Sequence, residues 1–193
     1  FKETSIEPVV GDSNTDYALH DEDLPMLKEQ YEKLASEMLE REKRDEGFNF
    51  YHYTVDLTGG PCIYKRVSGC GVGTEYLAVT PAGDLYPCHQ FVGDDDFKVG
   101  NVYDGIINGD VIDGFRNNNN VYTRDKCRGC FAKLYCSGGC AANNYHANGD
   151  INKVYDFGCE LHKKRIECAL MLKVAEEELG IERLPGASAV ISY

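Results

Sequence analysis

Four thiols fall within fourteen residues, Cys127-Arg-Gly-Cys130-Phe-Ala-Lys-Leu-Tyr-Cys136-Ser-Gly-Gly-Cys140, at gaps of two, five and three. Thiolate sulfur is a ligand for soft metal ions and iron–sulfur clusters, and a two-residue gap lets one tight turn aim two sulfurs at a single centre. Gly129, Gly138 and Gly139 give the segment the backbone freedom that such turns require. Packing offers no reason for thiols at this density.

Five further cysteines are spread along the chain: Cys62, Cys70, Cys88, Cys159 and Cys168. The middle seven of the nine read Cys70-x12-Gly83-x4-Cys88, a long gap, Cys127-x2-Cys130-x5-Cys136-x3-Cys140, another gap, then Cys159. Seven ligands exceed one four-coordinate site and almost fill two. Zinc in a structural site is an alternative for four of them. The x5 and x3 gaps, however, are not those of two matched C-x2-C knuckles. Cubane clusters accept ligands from scattered positions, and close-set cysteines can divide between two clusters.

Composition bounds the setting of this chemistry. The 193 residues, 42% hydrophobic, suffice for one ample domain or a domain and part of another. Twenty Lys and Arg against 32 Asp and Glu give a net charge of −12, which argues against nucleic acid or an anionic membrane as partner. No apolar run is long enough to span a bilayer, and no signal peptide opens the sequence. Nine cysteines are an odd number for a closed disulfide framework, so thiolate–metal chemistry in a reducing cytoplasm is the expectation.

The elements that must position the thiols can be read in order. Ser5 to Val10 predicts a short strand ending at Gly11. After a polar loop from Asp12 to Asp23, Leu24, Leu27, Tyr31, Leu34, Ala35, Met38 and Leu39 recur at steps of three and four, an amphipathic helix closed by Gly47. Phe48 to Leu57 predicts a second strand, with Phe50, Tyr51 and Tyr53 in a core. The pattern breaks at Thr58-Gly59-Gly60-Pro61, which sets a domain boundary near residue 58. Tyr76–Thr80 and Leu85–Cys88 form a hairpin, with Gly83 at a positive φ. Gly93 to Asn120 is acidic, then Gly/Asn-rich, with Asp94-Asp95-Asp96 reading as a solvated loop and Asn117 to Asn120 as loop, and Asn143 to Phe157 is polar and turn-rich. The final helix runs from Glu160 to Leu179 and Gly180 ends it, with Cys168 on its core face.

The seven-cysteine pattern resembles the SPASM domain, the C-terminal extension of radical S-adenosylmethionine enzymes that mature peptides and proteins. The segments Gly59-Gly60-Pro61-Cys62, Tyr86-Pro87-Cys88-His89-Gln90-Phe91-Val92-Gly93 and Cys136-Ser137-Gly138-Gly139-Cys140-Ala141-Ala142-Asn143 resemble, more narrowly, maturases of SCIFF peptides, which install thioether crosslinks. The resemblance implies an α+β fold. Residues 1–57 would be the end of a partial (β/α)6 barrel, 58–180 a cysteine-rich SPASM domain with a hairpin, loops and a closing helix around two iron–sulfur clusters, and 181–193 a tail. It implies two auxiliary 4Fe–4S clusters, the first held by Cys70, Cys88 and Cys140, the second by Cys127, Cys130, Cys136 and Cys159. Cys62 is the candidate fourth ligand of the first cluster, the alternative being an iron open to a substrate thiolate.

In such a family the full enzyme cleaves S-adenosylmethionine on a third 4Fe–4S cluster and bonds a cysteine sulfur to a carbon of its substrate. The expected partners are a cysteine-rich precursor peptide and a reductant such as a ferredoxin or flavodoxin. The C-x3-C-x2-C loop that holds the third cluster is not among these residues. Its place in the family lies earlier than Phe1, so a longer protein is expected. His89 stands where sulfatase-maturing members carry an Asp as proton acceptor, and an imidazole there is a candidate acid–base group. Glu7, at the end of what the resemblance implies is the sixth barrel strand, is the candidate cofactor contact. Two other classes stay open at this point: a stand-alone ferredoxin-like electron carrier and a zinc-stabilised interaction module.

Overall fold

The computed structural model describes residues 1–11, 14–56 and 62–181. They divide into two compact units, one made of Phe1–Cys62 with the chain from Tyr155 onward, the other of Ile63–Val154. The boundary expected near residue 58 and the tail beyond Ile181 lie outside the described residues.

The first unit is a β–α–β element closed by a long helix. Strand β1 (Glu3–Thr4) pairs in parallel with β2 (Asn49–Phe50), and helix α1 (Leu24–Glu42) makes the crossover that parallel pairing demands. At the entrance to α1, the Asp23 carboxylate accepts the His20 amide at 2.9 Å and Pro25 occupies the first turn. Tyr31, Ala35 and Met38, spaced four and three apart, bury one face of α1. They meet Phe157, Leu161, Cys168, Ala169 and Leu172 of the final helix (Asp156–Leu179) together with Phe50 and Tyr53. Cys168 is thus a core residue, as its helical position indicates. The Tyr53 hydroxyl donates to the Tyr31 carbonyl at 2.6 Å, and the Phe50 and Tyr53 rings meet edge to face at 4.8 Å. Ion pairs Lys28–Glu160 (2.6 Å) and Lys164–Glu32 (2.7 Å) link the two helices at the rim.

A buried guanidinium completes this unit. Arg165 is only 3% exposed. Its Nε and Nη2 donate to Tyr31 Oη at 3.0 and 2.8 Å, and Nη2 also to the Ile6 carbonyl at 2.9 Å. His52 Nε2 lies 3.0 Å from Glu7 Oε1. Burial works against ionisation of Glu7, but His52 and Arg165 outweigh it and hold the carboxyl below its usual range. Burial, reinforced by the Arg165 charge, pushes His162 down to about 4.

Two expectations need correction here. The first strand is not Ser5–Val10: pairing occurs at Glu3–Thr4, and Ile6 and Val9 are exposed. Pro8 has no amide to give a ladder, while the Ile6 carbonyl and the Glu7 carboxylate are taken by Arg165 and His52. Glu7 is therefore a loop residue beyond the strand. The expected strand from Phe48 pairs over only two residues and then winds into a 3-10 turn, Tyr51–Tyr53. That turn carries Tyr53 into the same core as Phe50, while Tyr51 stays half-buried.

The second unit begins with helix α2 (Ile63–Ser68), followed by an antiparallel meander of β3 (Ala78–Val79), β4 (Asp84–Tyr86), β5 (Gly100–Asn101) and β6 (Gly105–Ile106) in that order. The predicted hairpin is its first half, with Gly83 at φ +88°. Helices α3 (Gly109–Asn118), α4 (Asp125–Arg128), α5 (Lys133–Cys136) and α6 (Ala141–Asn148) follow. Phe91 centres the packing, 4.2 Å from the Phe97 ring and 5.6 Å from Phe115. The acidic and Gly/Asn-rich stretch Gly93–Asn120 contains two strands and α3, whose Ile112 and Phe115 enter the core three residues apart and whose last residues, Asn117 and Asn118, fall where a loop is expected. Residues 143–157, expected as turns, contain most of α6. Its Asn144 is buried and donates to the carbonyls of Gly138 (3.3 Å) and Ile151 (3.5 Å), so tertiary bonds hold a helix of weak formers.

Two measurements test the first unit. Met38→Ala removes a fully buried side chain and should cost about 2–5 kcal/mol in urea unfolding. Acid should weaken the same core. His162 has a depressed folded pKa, so its contribution is complete above its ordinary 6.5 and is lost as pH falls through about 4. The urea midpoint should drop across that window, and His162→Asn should flatten the drop. A slope below 4.5 should persist from Glu7 and from Glu160, which Lys163 and Lys28 hold down to about 2.

Candidate metal centre

Six of the cysteines gather into two groups within the second unit. Cys70, Cys88 and Cys140 act on one another electrostatically, as do Cys127, Cys130 and Cys136. Chain spacing alone would have grouped the last four thiols of the segment. The fold instead turns Cys140 toward partners fifty and seventy residues away. Among the described residues no three His, Cys, Asp or Glu side chains close around one ion; the thiols form two open triads.

The first triad is assembled by a loop, a strand end and a helix start. Cys70 follows α2 on a turn whose Thr74 and Glu75 amides both donate to the Gly71 carbonyl, at 3.0 and 2.8 Å. The Gly73 amide reaches the Pro87 carbonyl at 3.2 Å, which ties this turn to the segment bearing Cys88. Gly73 sits at φ +69°, and a Cβ there would stand 3.0 Å from the Phe115 ring, so a side chain would be strained in backbone and crowded in space. Cys88 ends the β4 segment and precedes a 3-10 turn, His89–Phe91. The Gln90 and Phe91 amides of that turn stabilise its sulfur as thiolate. Cys140 is the N-cap of α6, so the Ala142 and Asn143 amides do the same for it. Gln90 Nε2 adds a side-chain bond to Cys140 Sγ at 3.5 Å. Tyr76 Oη lies 3.6 Å from Cys70 Sγ.

The second triad rests on a left-handed backbone run. Ser137, Gly138 and Gly139 all have positive φ (54°, 86° and 77°), an arrangement that turns successive amides inward. The Gly138 and Gly139 amides thereby face the Cys136 sulfur. Gly129 does not share this geometry; its φ is −94°, which any residue tolerates. Arg124, 2% exposed, braces the turn: its Nη1 donates to the Gly138 carbonyl (3.3 Å), and its Nη2 to Asn119 Oδ1 (2.6 Å) and the Ile151 carbonyl (2.9 Å).

Burial dominates the electrostatics. It pushes the thiols of Cys88, Cys127 and Cys140 up and Cys136 up to about 11, with neighbouring sulfurs adding to the effect. Arg124 partly offsets this at Cys127. Burial favours the protonated thiols; a bound cation would favour thiolates, whose negative charge the amides at Cys88, Cys136 and Cys140 would share. This donor set fits sulfur-ligated iron, in which hydrogen bonds to the ligands are part of the centre.

The remaining candidates stand elsewhere. Cys62 is exposed, immediately before α2. Cys159 lies in the first turn of the final helix, in the other unit. His89 is exposed, and Glu7 is engaged by His52 and Arg165. Sequence reasoning overlooked Tyr76, Gln90 and Arg124 as supports of the triads. Gln90 directly follows His89 in a segment already singled out; nothing in spacing marks the other two.

Residues 70–131 match the family model of SPASM, an iron–sulfur cluster-binding domain. Over those residues the chain is similar to a SPASM domain, and the α+β class expected from the sequence holds. Three similar solved structures are native anSMEcpe with bound AdoMet and Kp18Cys peptide, the hexahistidine-tagged form with bound AdoMet, and the native form with AdoMet and Cp18Cys peptide. Each is 18% identical and covers 89% of this chain, with TM-scores of 0.57, 0.58 and 0.57. The match takes in 48%, 46% and 48% of those chains, so this chain spans about half their length. At this identity the likeness is one of fold. No curated protein matches the sequence. No helix among the described residues is long and apolar enough to cross a membrane.

The left-handed run gives a test of the second triad. A Cβ on Gly138 would be strained at its φ and would run into Arg124 Nη1, which its other bonds hold in place. Gly138→Ala should cost about 1–3 kcal/mol in thermal or urea unfolding. Gly129→Ala, with open space around it, should leave stability nearly unchanged.

Proposed function

We propose that this chain is the auxiliary-cluster portion of a radical S-adenosylmethionine enzyme that modifies a peptide, and that it binds two 4Fe–4S clusters. The observation carrying this reading is the sorting of six thiols into two triads, with backbone amides turned toward the sulfurs of Cys88, Cys136 and Cys140, in and just beyond the SPASM match. In this reading Cys70, Cys88 and Cys140 bind the first cluster, with Cys62 the candidate fourth ligand. Cys127, Cys130, Cys136 and Cys159 bind the second. A bound cluster supplies one-electron transfer and, at an iron lacking a fourth protein ligand, a position for an external thiolate. The chain's own residues neutralise and orient it: Gln90 and the α6 amides at Cys140, the left-handed turn at Cys136, Arg124 beside Cys127.

The likeness in fold to anSMEcpe, solved with AdoMet and with peptides, supports a peptide substrate. The segments flanking the cysteines support the finer reading of a sulfur-to-carbon crosslink in a cysteine-rich peptide. Joining a thiolate sulfur to a carbon that has lost a hydrogen atom leaves one electron over, which a cluster held by these cysteines would be placed to accept. A ferredoxin or flavodoxin as reductant and a cytoplasmic setting complete the assignment. His89 is the candidate acid–base group and Glu7 the candidate cofactor contact.

Iron and acid-labile sulfide in anaerobically purified protein test the reading. Both should be present; zinc without iron or sulfide would overturn it. Cys140→Ala should remove mainly the first cluster and Cys130→Ala mainly the second, as read by iron content and electron paramagnetic resonance of the reduced protein. Equal loss of both signals in each variant would refute the division of ligands.

A further inference from the structure

The two sulfurs of the first triad that are best enclosed, Cys88 and Cys140, both receive main-chain amides. Cys70 differs. It is the exposed member of the triad, and its sulfur has the Tyr76 hydroxyl at 3.6 Å. Tyr76 is held in that position by the backbone. Val72 and Tyr76 form a parallel bridge across the Cys70 turn, and the next residue back, Glu75, is ion-paired with Lys65 of α2. The residue as a whole is 43% exposed.

We infer that Tyr76 is the hydrogen-bond donor to the Cys70 thiolate and a positioning residue that sets the reduction potential of the first cluster. The inference rests on the reading of Cys70, Cys88 and Cys140 as its ligands. A phenol can donate or accept, but toward a thiolate it can only donate. Hydrogen bonds to ligand sulfurs withdraw charge from an iron–sulfur centre and ease its reduction, which is one of the levers that tune such potentials. Amides that belong to a turn cannot be removed by substitution without remaking the turn. Tyr76 is a side-chain donor to this triad whose bond can be deleted while the ring stays in place.

The test is an anaerobic redox titration of the full-length protein and its Tyr76→Phe variant, followed by electron paramagnetic resonance. The first cluster's signal is identified as the one missing from Cys140→Ala. The expected result is unchanged iron and sulfide, a first-cluster midpoint shifted to more negative potential, and an unmoved second cluster. An unshifted midpoint at full iron content would overturn the role of Tyr76 while leaving the cluster reading intact. Loss of the first cluster in Tyr76→Phe would also overturn it, making the hydroxyl a structural prop. Absence of iron and sulfide from the unaltered protein would overturn the cluster reading itself.

Discussion

Sulfur removed from water has to be given something else to face. Burial raises the thiols of Cys88, Cys136 and Cys140, and the local backbone answers each with a pair of amides. The three solutions differ in form: a 3-10 turn after Cys88, three left-handed residues after Cys136, the first turn of a helix after Cys140. They share one physical idea, that an amide fixed by its own chain needs no rearrangement when charge arrives. Much of the second unit can be understood as what holds those three turns. Arg124 clamps the Gly138 carbonyl, Asn144 binds the same carbonyl from α6, and Gly73 anchors the Cys70 turn to Pro87.

The first unit solves a different problem by similar means. Arg165 is buried with its guanidinium bonded to a phenol and a main-chain carbonyl, and Glu7 supplies negative charge 3.8 Å away. A buried cation left without such partners would be strongly destabilising. The arrangement accounts for why the chain leaves the sheet after Thr4: the carbonyl and carboxylate that a longer strand would direct elsewhere are already engaged.

What the sequence made legible follows from the length over which each signal repeats. Helix α1 and the final helix carry apolar residues through several turns, and their extents agree with expectation to within a few residues. The Gly83 hairpin was readable because one turn residue determines it. Strands of two residues, such as β5 and β6, carry too little alternation to register. Helix α3 hides its Ile112 and Phe115 among Gly, Asp and Asn, and α6 is held by the side chain of Asn144 rather than by periodicity. At the centre the cysteines announced themselves by spacing. Their supports did not, because Tyr76 reads as an ordinary strand aromatic and Arg124 as a surface charge until tertiary structure brings them to the sulfurs.

The short link from Cys136 to Cys140 sets a length scale. Four residue steps span at most about 14 Å even when fully extended, and the left-handed run Ser137–Gly139 shortens the path further. One sulfur belongs to each triad, so the two proposed centres are leashed by a single turn of backbone. Clusters bound there would be held near one another by a backbone link of at most about 14 Å. The turn that would shape a ligand at one centre would thus also fix its distance from the next.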